Sequence, residues 1–176
     1  MIGYHIPNAR HPDMPVFDVL SSVLSGGRTS RLYKSLVEEK KMAQFAGGFA
    51  GFPGTKYPSM FLFFSLPTSG HTNEEVQQAM MEEIDKLMEE LVTDEELERV
   101  KVQQRAGLLR SLASNFGLAD NLATSHLLMG DWRDLFDSLE RINAVTAEDI
   151  RRVVRETFVD RNRTVGYFIP EDGGAK

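Results

Sequence analysis

Two strand-like segments stand next to each other near the middle of the chain, between segments with helical periodicity. In Ala43–Phe52, Phe and Gly recur with a spacing of two residues, as in a β-strand. Pro58–Leu66 is a second, strongly apolar segment of strand length, and the loop Gly54–Tyr57 separates the two. These features predict an antiparallel hairpin. Consecutive strands exclude a fold in which single strands and single helices alternate.

The glycines of Ala43–Phe52 predict a β-bulge or a close approach of the backbone to another element. If the edge of this strand is exposed, a peptide can pair with it as an additional strand. The alternative is an ordinary core strand, and the sequence favours this alternative.

Helix signals surround the hairpin. Pro15 suits the first turn of a buried helix that is capped by Asp13 or Met14 and ends at Gly26-Gly27. Thr72 and Glu75 have the spacing of a capping box, as do Thr93 and Glu96. Two further strands are predicted, at Ile2–Ile6 and Thr164–Ile169, and Glu171–Lys176 should fray. The remaining predicted helices are Ser30–Lys41, Thr93–Leu128 with a kink at Asn115–Gly117, Asp131–Ile142 and one from Thr146 onward.

The predicted order β-α-α-β-β-α-α-α-α-β is typical of the α+β class. The simplest packing has two layers, with one mostly antiparallel sheet and the helices packed on one face. We interpret residues 1–176 as a single domain. Met1 resembles an added start codon, so we also expect the chain to be a fragment of a larger protein.

Composition excludes several classes of function. The formal net charge is −6, whereas a nucleic-acid-binding domain needs a clustered basic surface. No apolar run has the roughly 18 to 20 residues needed to cross a bilayer, and we expect no signal peptide at the start. Cysteine is absent, which excludes disulfides, Cys-ligated zinc and thiol catalysis in this chain. The composition is compatible with either the cytoplasm or the bacterial periplasm.

The nearest approach to a metal motif is the segment His71–Glu75. An H-x-x-E-H zinc helix needs two His residues four positions apart on one face, together with a Glu that activates water. Here Glu75 occupies the second His position, and we expect it to cap the helix instead. The other His residues share no ligand spacing, and the serines lack a nucleophile motif. We therefore predict no bound metal and no catalytic residue in this chain.

The order of several short motifs resembles the pitrilysin / insulin-degrading-enzyme / mitochondrial-processing-peptidase family. The resemblance extends over essentially the whole chain, and its specificity lies in the order and spacing of the motifs. They are IGYHIP at Ile2–Pro7, LSGGRTSRLY at Leu24–Tyr33, LVEEK at Leu36–Lys40, GHT at Gly70–Thr72, TDEEL at Thr93–Leu97 and the helix Asp149–Val154. Members of this family carry two or more domains of similar fold. The first domain bears the inverted zinc motif, and this chain resembles the second, metal-free domain.

The resemblance implies that the chain is the non-catalytic half of a zinc-dependent endopeptidase. Zinc is then expected in the catalytic domain of the parent protein, where it activates the water that hydrolyses the peptide. The implied partners are this catalytic zinc-binding domain and a peptide substrate that the two halves enclose. We also expect an isolated half to form homo-oligomers through its partner-facing surface. The alternative is a structural scaffold domain of the same fold without a proteolytic role.

The sequence departs from the family at one pair of positions. Second domains often supply an Arg and, seven positions later, a Tyr that help to bind substrate and stabilise the tetrahedral intermediate. Val37 and Gln44 occupy these positions here. The resemblance then leaves three roles open: a lid that encloses substrate, a partner in a larger assembly, or a half whose helper residues come from another chain.

Three residues at the opening of the second predicted helix are candidates for contact with the substrate or the partner half. They are Arg28, Ser30 and Arg31. The alternative, which the sequence favours, is that these residues cap the helix and form salt bridges.

Overall fold

The computed structural model describes residues 1–169, and within them four strands form one antiparallel sheet with the order β2-β3-β1-β4. The strands are β1 (Ile2–Ile6), β2 (Ala43–Phe52), β3 (Ser59–Pro67) and β4 (Arg163–Val165). The predicted hairpin is confirmed, because β2 and β3 are antiparallel neighbours that pair Phe45 with Leu66 and Ala50 with Phe61.

The helices follow the predicted order. They are α1 (Met14–Ser25), a π-helix (Tyr33–Glu39), α2 (Asn73–Glu89), α3 (Asp94–Ser111), α4 (Asn115–Met129), α5 (Asp134–Ala144), α6 (Ala147–Thr157) and a 3₁₀ turn (Asp160–Asn162). With an antiparallel sheet and helices on one of its faces, the predicted α+β class is confirmed. Among the helices of residues 1–169, none combines the length and the hydrophobicity that a bilayer crossing requires.

Two predicted helix and strand boundaries were wrong. The long helix from Thr93 is interrupted rather than kinked, because the Ser114 side chain accepts a hydrogen bond from the Gly117 amide and starts α4 anew. The last strand stops at Val165, because pairing between the termini ends with the hydrogen bonds between Met1 and Gly166. The predicted fraying of Glu171–Lys176 lies outside the described residues.

The second predicted helix also differs in shape. Its Tyr33–Glu39 portion is a π-helix, in which the Lys40 amide donates to the Ser35 carbonyl five residues earlier. The wider turn changes the angle between successive side chains. As a result Ser35 and Leu36 are buried, whereas Val37 is only half-buried.

The core lies between the helices and one face of the sheet. Tyr4 of β1 and Phe61 and Phe63 of β3 point to this side and are fully buried. Their rings surround Phe158 at the end of α6, with ring centroids 4.8 to 5.2 Å from it. This aromatic cluster fixes the last helix against the centre of the sheet.

Helix α1 covers the outer edge of β2. The amide of Gly48 donates to the Ser25 hydroxyl at 2.5 Å, and the amide of Ala50 donates to the Ser21 hydroxyl at 3.0 Å. These hydroxyls satisfy two edge amides that would otherwise be free to pair with another chain. The edge of β2 is therefore not open to an added peptide strand at these two positions.

Both features predicted from the glycines of β2 are present. The register with β3 shifts between Ala43 and Phe45 and again between Ala50 and Phe52, so that Gln44 and Gly51 are the extra residues of two bulges. Gly51 has a φ of 92°. Gly48 lies so close to the core that an added Cβ would be 2.6 Å from the ring of Phe63.

Candidate functional site

The second face of the sheet carries a cluster of apolar side chains on the side opposite the helices. On β2, Phe45 and Phe49 are exposed, and on β3, Leu66 is exposed while Leu62 and Phe64 are half-buried. The Phe64 ring lies between the other two, with ring centroids 5.8 Å from Phe45 and 5.9 Å from Phe49. We call these five residues the open sheet face.

A glycine makes the arrangement of these rings feasible. Gly47 pairs directly with Phe64 across the hairpin. A Cβ at Gly47 would lie 3.2 Å from the end of the Phe64 ring, which is tighter than ordinary van der Waals contact. The ring therefore lies over the glycine backbone, and Phe45 and Phe49 flank it two residues away on either side.

The open sheet face forms one wall of a concavity of about 1050 Å³. The loop from Thr68 to the start of α2 and the segment Gly166–Ile169 border it. Its lining is mainly apolar, with polar groups at the rim such as His71 and Asn73. A mainly apolar concavity with a few polar groups at its rim is the usual form of a binding surface.

Sequence reasoning did not identify the open sheet face as a surface. The signal was present in Pro58–Leu66, which lacks the alternating polar residues of a strand with one wet face. An uninterrupted apolar strand indicates that both faces of the sheet are apolar. Without the position of the helices, the sequence does not show which face remains uncovered.

The three candidate residues from the second helical segment lie in different environments. Arg28 is exposed, with its guanidinium 3.9 Å from the carboxylate of Glu38 and 5.8 Å from the centroid of the Tyr33 ring. Ser30 is buried, and its hydroxyl donates to the Gly27 carbonyl at 2.7 Å. None of the three lines the concavity at the open sheet face.

Arg31 forms a bidentate ion pair with Glu96 at the start of α3. Its Nε and Nη2 donate to the two carboxylate oxygens at 3.0 and 2.8 Å, and the two side chains are 18% and 13% exposed. Only half of the capping box predicted here is present: the Thr93 side chain accepts from the Glu96 amide, but the Glu96 carboxylate binds Arg31 instead of the Thr93 amide. A contact role for Arg28, Ser30 and Arg31 stays a prediction.

Val37 and Gln44 stand at the positions where the family resemblance implies Arg and Tyr. Val37 lies in the π-helix, and Gln44 is exposed at the first bulge of β2. Between them, Lys41 has a φ of 52°, which is rare for a residue with a side chain. The backbone of this segment is irregular, but its side chains carry neither a guanidinium nor a phenol at these two positions.

The segment His71–Glu75 forms the start of α2. One carboxylate oxygen of Glu75 accepts from the Thr72 amide at 2.9 Å, while the Thr72 hydroxyl accepts from the Glu75 amide, as predicted for a capping box. The hydrogen bond from Thr72, followed by that from His71, holds the pKa of Glu75 below its usual value. Within residues 1–169, no group of three His, Cys, Asp or Glu side chains is arranged to hold a metal ion.

A groove lies on the helical side of the molecule, where α1, α3 and α5 meet. Two concavities of about 380 and 500 Å³ share Asp18, Ser138 and Ile142 in their linings. Asp18 is exposed to solvent in the groove, but the surrounding helices displace much of the solvent that would otherwise surround its carboxyl group. This desolvation raises the pKa of Asp18 to about 6.

Comparison with known proteins relates the chain to zinc proteases. The zinc protease PqqE of Helicobacter pylori is 28% identical over 169 residues, which are 96% of this chain and 37% of PqqE. The crystal structure of a protease from Helicobacter pylori has a TM-score of 0.84 and 28% identity, covering 92% of this chain and 38% of that one. The inactive peptidase domain of a zinc protease from Bordetella parapertussis has a TM-score of 0.83 and 26% identity, covering 99% and 93%.

The chain thus spans less than two fifths of the length of PqqE, whereas it corresponds to nearly all of the isolated Bordetella domain. A family profile described as the peptidase M16 inactive domain matches residues 1–104, which is more than half of the chain. The family resemblance drawn from the motifs is confirmed. The chain belongs to the family of peptidase M16 inactive domains.

Proposed function

We propose that this chain is the metal-free half of a zinc-dependent endopeptidase and that its open sheet face helps to enclose peptide substrate against the catalytic domain. The observation that carries the proposal is the apolar face of β2 and β3, which borders a concavity of about 1050 Å³. An uncovered apolar surface of this kind is typical of an interaction site. The assignment to inactive domains of zinc proteases supports a catalytic partner domain that would hold the zinc.

A peptide would be held at this face mainly by its side chains. Two edge amides of β2, at Gly48 and Ala50, are already bonded to the serines of α1, which disfavours strand addition at that edge. The rings of Phe45, Phe49 and Phe64 instead offer apolar contacts to alternate side chains of an extended peptide. Such contacts accept peptides of different sequences, which a surface that encloses substrate needs.

The chemical step belongs to the catalytic domain. Its zinc would supply the activated water, and this chain would contribute desolvation and positioning of the peptide. Arg28, the most exposed of the three candidate residues, is our proposed polar contact with the substrate or the partner half. Ser30 and Arg31 would support it by holding the turn and the helix start in place.

The first test measures zinc content and peptide hydrolysis by the purified chain. We expect no bound zinc and no turnover of a pool of quenched peptides, with or without a chelator. Stoichiometric zinc with chelator-sensitive cleavage would contradict a non-catalytic role and direct attention to His71, Glu74 and Glu75.

The second test measures peptide binding at the open sheet face. We expect weak, saturable binding of labelled, unstructured peptides with apolar residues at every second position, measured by fluorescence anisotropy. Phe49→Ser should weaken this binding several-fold, whereas Val102→Ser, an exposed apolar position on α3, should leave it unchanged. Equal binding by both variants would show that the open sheet face does not hold peptide.

A scaffold domain without a proteolytic role is the second candidate. Val37 and Gln44 favour it, because the side chains implied to assist the intermediate are missing. The two candidate functions predict different sequences for the other domain of the parent protein. An intact H-x-x-E-H helix there supports a protease, and a degenerate one supports a scaffold.

A further inference from the structure

Helix α4 has the composition of a buried helix but an exposed position. Its sequence NFGLADNLATSHLLM contains Phe, Met and four Leu, no Lys, Arg or Glu, and a single acidic residue, Asp120. Only Ser125 of its fifteen residues is buried. The neighbouring α3 instead carries Asp, Glu, Lys and Arg along its length. A helix of this composition is expected to bury one of its faces against another surface.

One exposed stripe runs along α4. Phe116, Asp120, Ala123 and Leu127 follow one another at intervals of four, three and four residues and therefore lie on one face. All four are exposed, and the two at the ends are the most accessible large apolar residues of α4: Phe116 is 82% and Leu127 is 60% exposed. The stripe has large side chains at its ends and small or polar ones at its centre.

The stripe is separate from the open sheet face. Helix α4 packs against α3 and α5, whereas α1, α2, α6 and the π-helix pack against the strands. The helical layer therefore lies between α4 and the sheet. A partner that covers the open sheet face leaves α4 accessible.

We propose that α4 pairs with α4 of a second copy of this chain, antiparallel and about a two-fold axis. In this register Phe116 of one copy lies opposite Leu127 of the other, and Asp120 lies opposite Ala123. The small central residues permit close approach of the helices, at about 8 to 10 Å between axes. The single charge of each stripe meets a methyl group instead of the equivalent charge. The surface is thus self-complementary, as a two-fold interface requires.

The dimer is expected to be weak. The stripe from Phe116 to Leu127 is about 16 Å long, since an α-helix rises about 1.5 Å per residue. A single helix pair of this length buries less than the roughly 800 Å² per partner of a standard stable interface. Association should therefore depend strongly on protein concentration and be visible only at high concentration.

The decisive experiment introduces either a negative or a positive charge at the centre of the interface. Ala123→Asp places a carboxylate opposite Asp120 of the partner, and Ala123→Lys places an ammonium group there. Sedimentation equilibrium of the full chain over a range of concentrations should show a dimer for the wild type, a monomer for Ala123→Asp and a dimer at least as tight as the wild type for Ala123→Lys. Both variants change an exposed position on a helix, and circular dichroism checks that each remains folded.

Further variants separate this interface from other apolar surfaces. Phe116→Ser should weaken the dimer at least ten-fold, whereas Phe49→Ser on the open sheet face and Val102→Ser on α3 should leave it unchanged. A monomeric wild type at all concentrations would overturn the proposal and leave α4 as a surface for the catalytic domain. An equal effect of Ala123→Asp and Ala123→Lys, or dimer loss with Phe49→Ser alone, would also overturn it. None of these results depends on peptide binding.

Discussion

At the scale of single residues, the pair formed by Arg31 and Glu96 joins two segments that are far apart in the sequence. Arg31 stands in the first turn of the second helical segment, and Glu96 stands in the first turn of α3. Bidentate geometry and low exposure make this contact stronger than an ordinary surface ion pair. Of the alternative interpretation, capping and salt bridges, the salt bridge is present at Arg31, whereas the Ser30 hydroxyl donates to the Gly27 carbonyl and holds the turn without capping the helix.

Arg31→Ala is therefore expected to destabilise the chain. The substitution leaves the Glu96 carboxylate largely buried without its partner, which costs about 1.5 to 3 kcal/mol in the free energy of unfolding. Arg28→Ala removes only an exposed, distant pairing with Glu38 and should change stability by less than about 0.5 kcal/mol. Urea unfolding measures both. A stable Arg31→Ala variant with impaired binding would assign Arg31 to a contact role instead.

At the scale of elements, local sequence signals predicted where helices start and end. They did not predict where the helical backbone becomes irregular. The capping box at Thr72, the helix start at Thr146 and the end of α1 before Gly26 were predicted because each depends on residues within four positions. The π-helix Tyr33–Glu39 was not, because tertiary contacts decide whether a helical turn widens. The break before α4 was predicted as a kink, since Asn115–Gly117 marks the place but not the geometry.

The hairpin shows how a glycine specifies the packing of a strand. At Gly48 an added Cβ would lie 2.6 and 2.9 Å from atoms of the Phe63 ring and 3.0 Å from Phe61, and both rings are fully buried. The strand can approach the core this closely only because the side chain is absent.

Gly48→Ala should consequently destabilise the chain by about 1 to 3 kcal/mol, because the extra methyl group forces the buried rings to move. Gly107→Ala is the matched control. Gly107 lies inside α3, where no atom stands within 4 Å of an added Cβ, so the change should stabilise the helix by about 0.5 to 1 kcal/mol. Denaturant unfolding should move the two midpoints in opposite directions, and two equal shifts would refute this account of the glycine in β2.

At the scale of the whole molecule, the α+β class and the absence of a zinc motif could be read from the sequence. The order of strands and helices limits the packing to one sheet with helices on one side, as the structure has it. The candidate site could not be located in this way. Whether Phe49 and Phe64 form a surface depends on which sheet face the helices leave uncovered, and that choice is made by long-range packing.

Packing of the outer helices against α1 also creates the groove that contains Asp18. Because desolvation raises the pKa of Asp18 from 3.8 to about 6, the folded state keeps its proton at pH values where the unfolded chain has lost it. The unfolded state then binds fewer protons, so the contribution of Asp18 to stability is lost as the pH rises from about 3.8 through about 6. Above this window the ionised carboxylate opposes folding.

Asp18→Asn should remove this penalty. A pKa that rises from 3.8 to about 6 corresponds to about 3 kcal/mol, and because Asp18 is exposed to solvent we expect a smaller gain of about 1 kcal/mol at pH 8. The gain should largely disappear at pH 4, where Asp18 is still protonated in the folded state and only about half ionised in the unfolded state. Urea unfolding at the two pH values measures the difference, with Asp85→Asn, at an exposed position on α2, as the control for loss of one surface charge. Equal stability of Asp18→Asn and the wild type at pH 8 would mean that the groove is open enough for the carboxylate to remain fully hydrated.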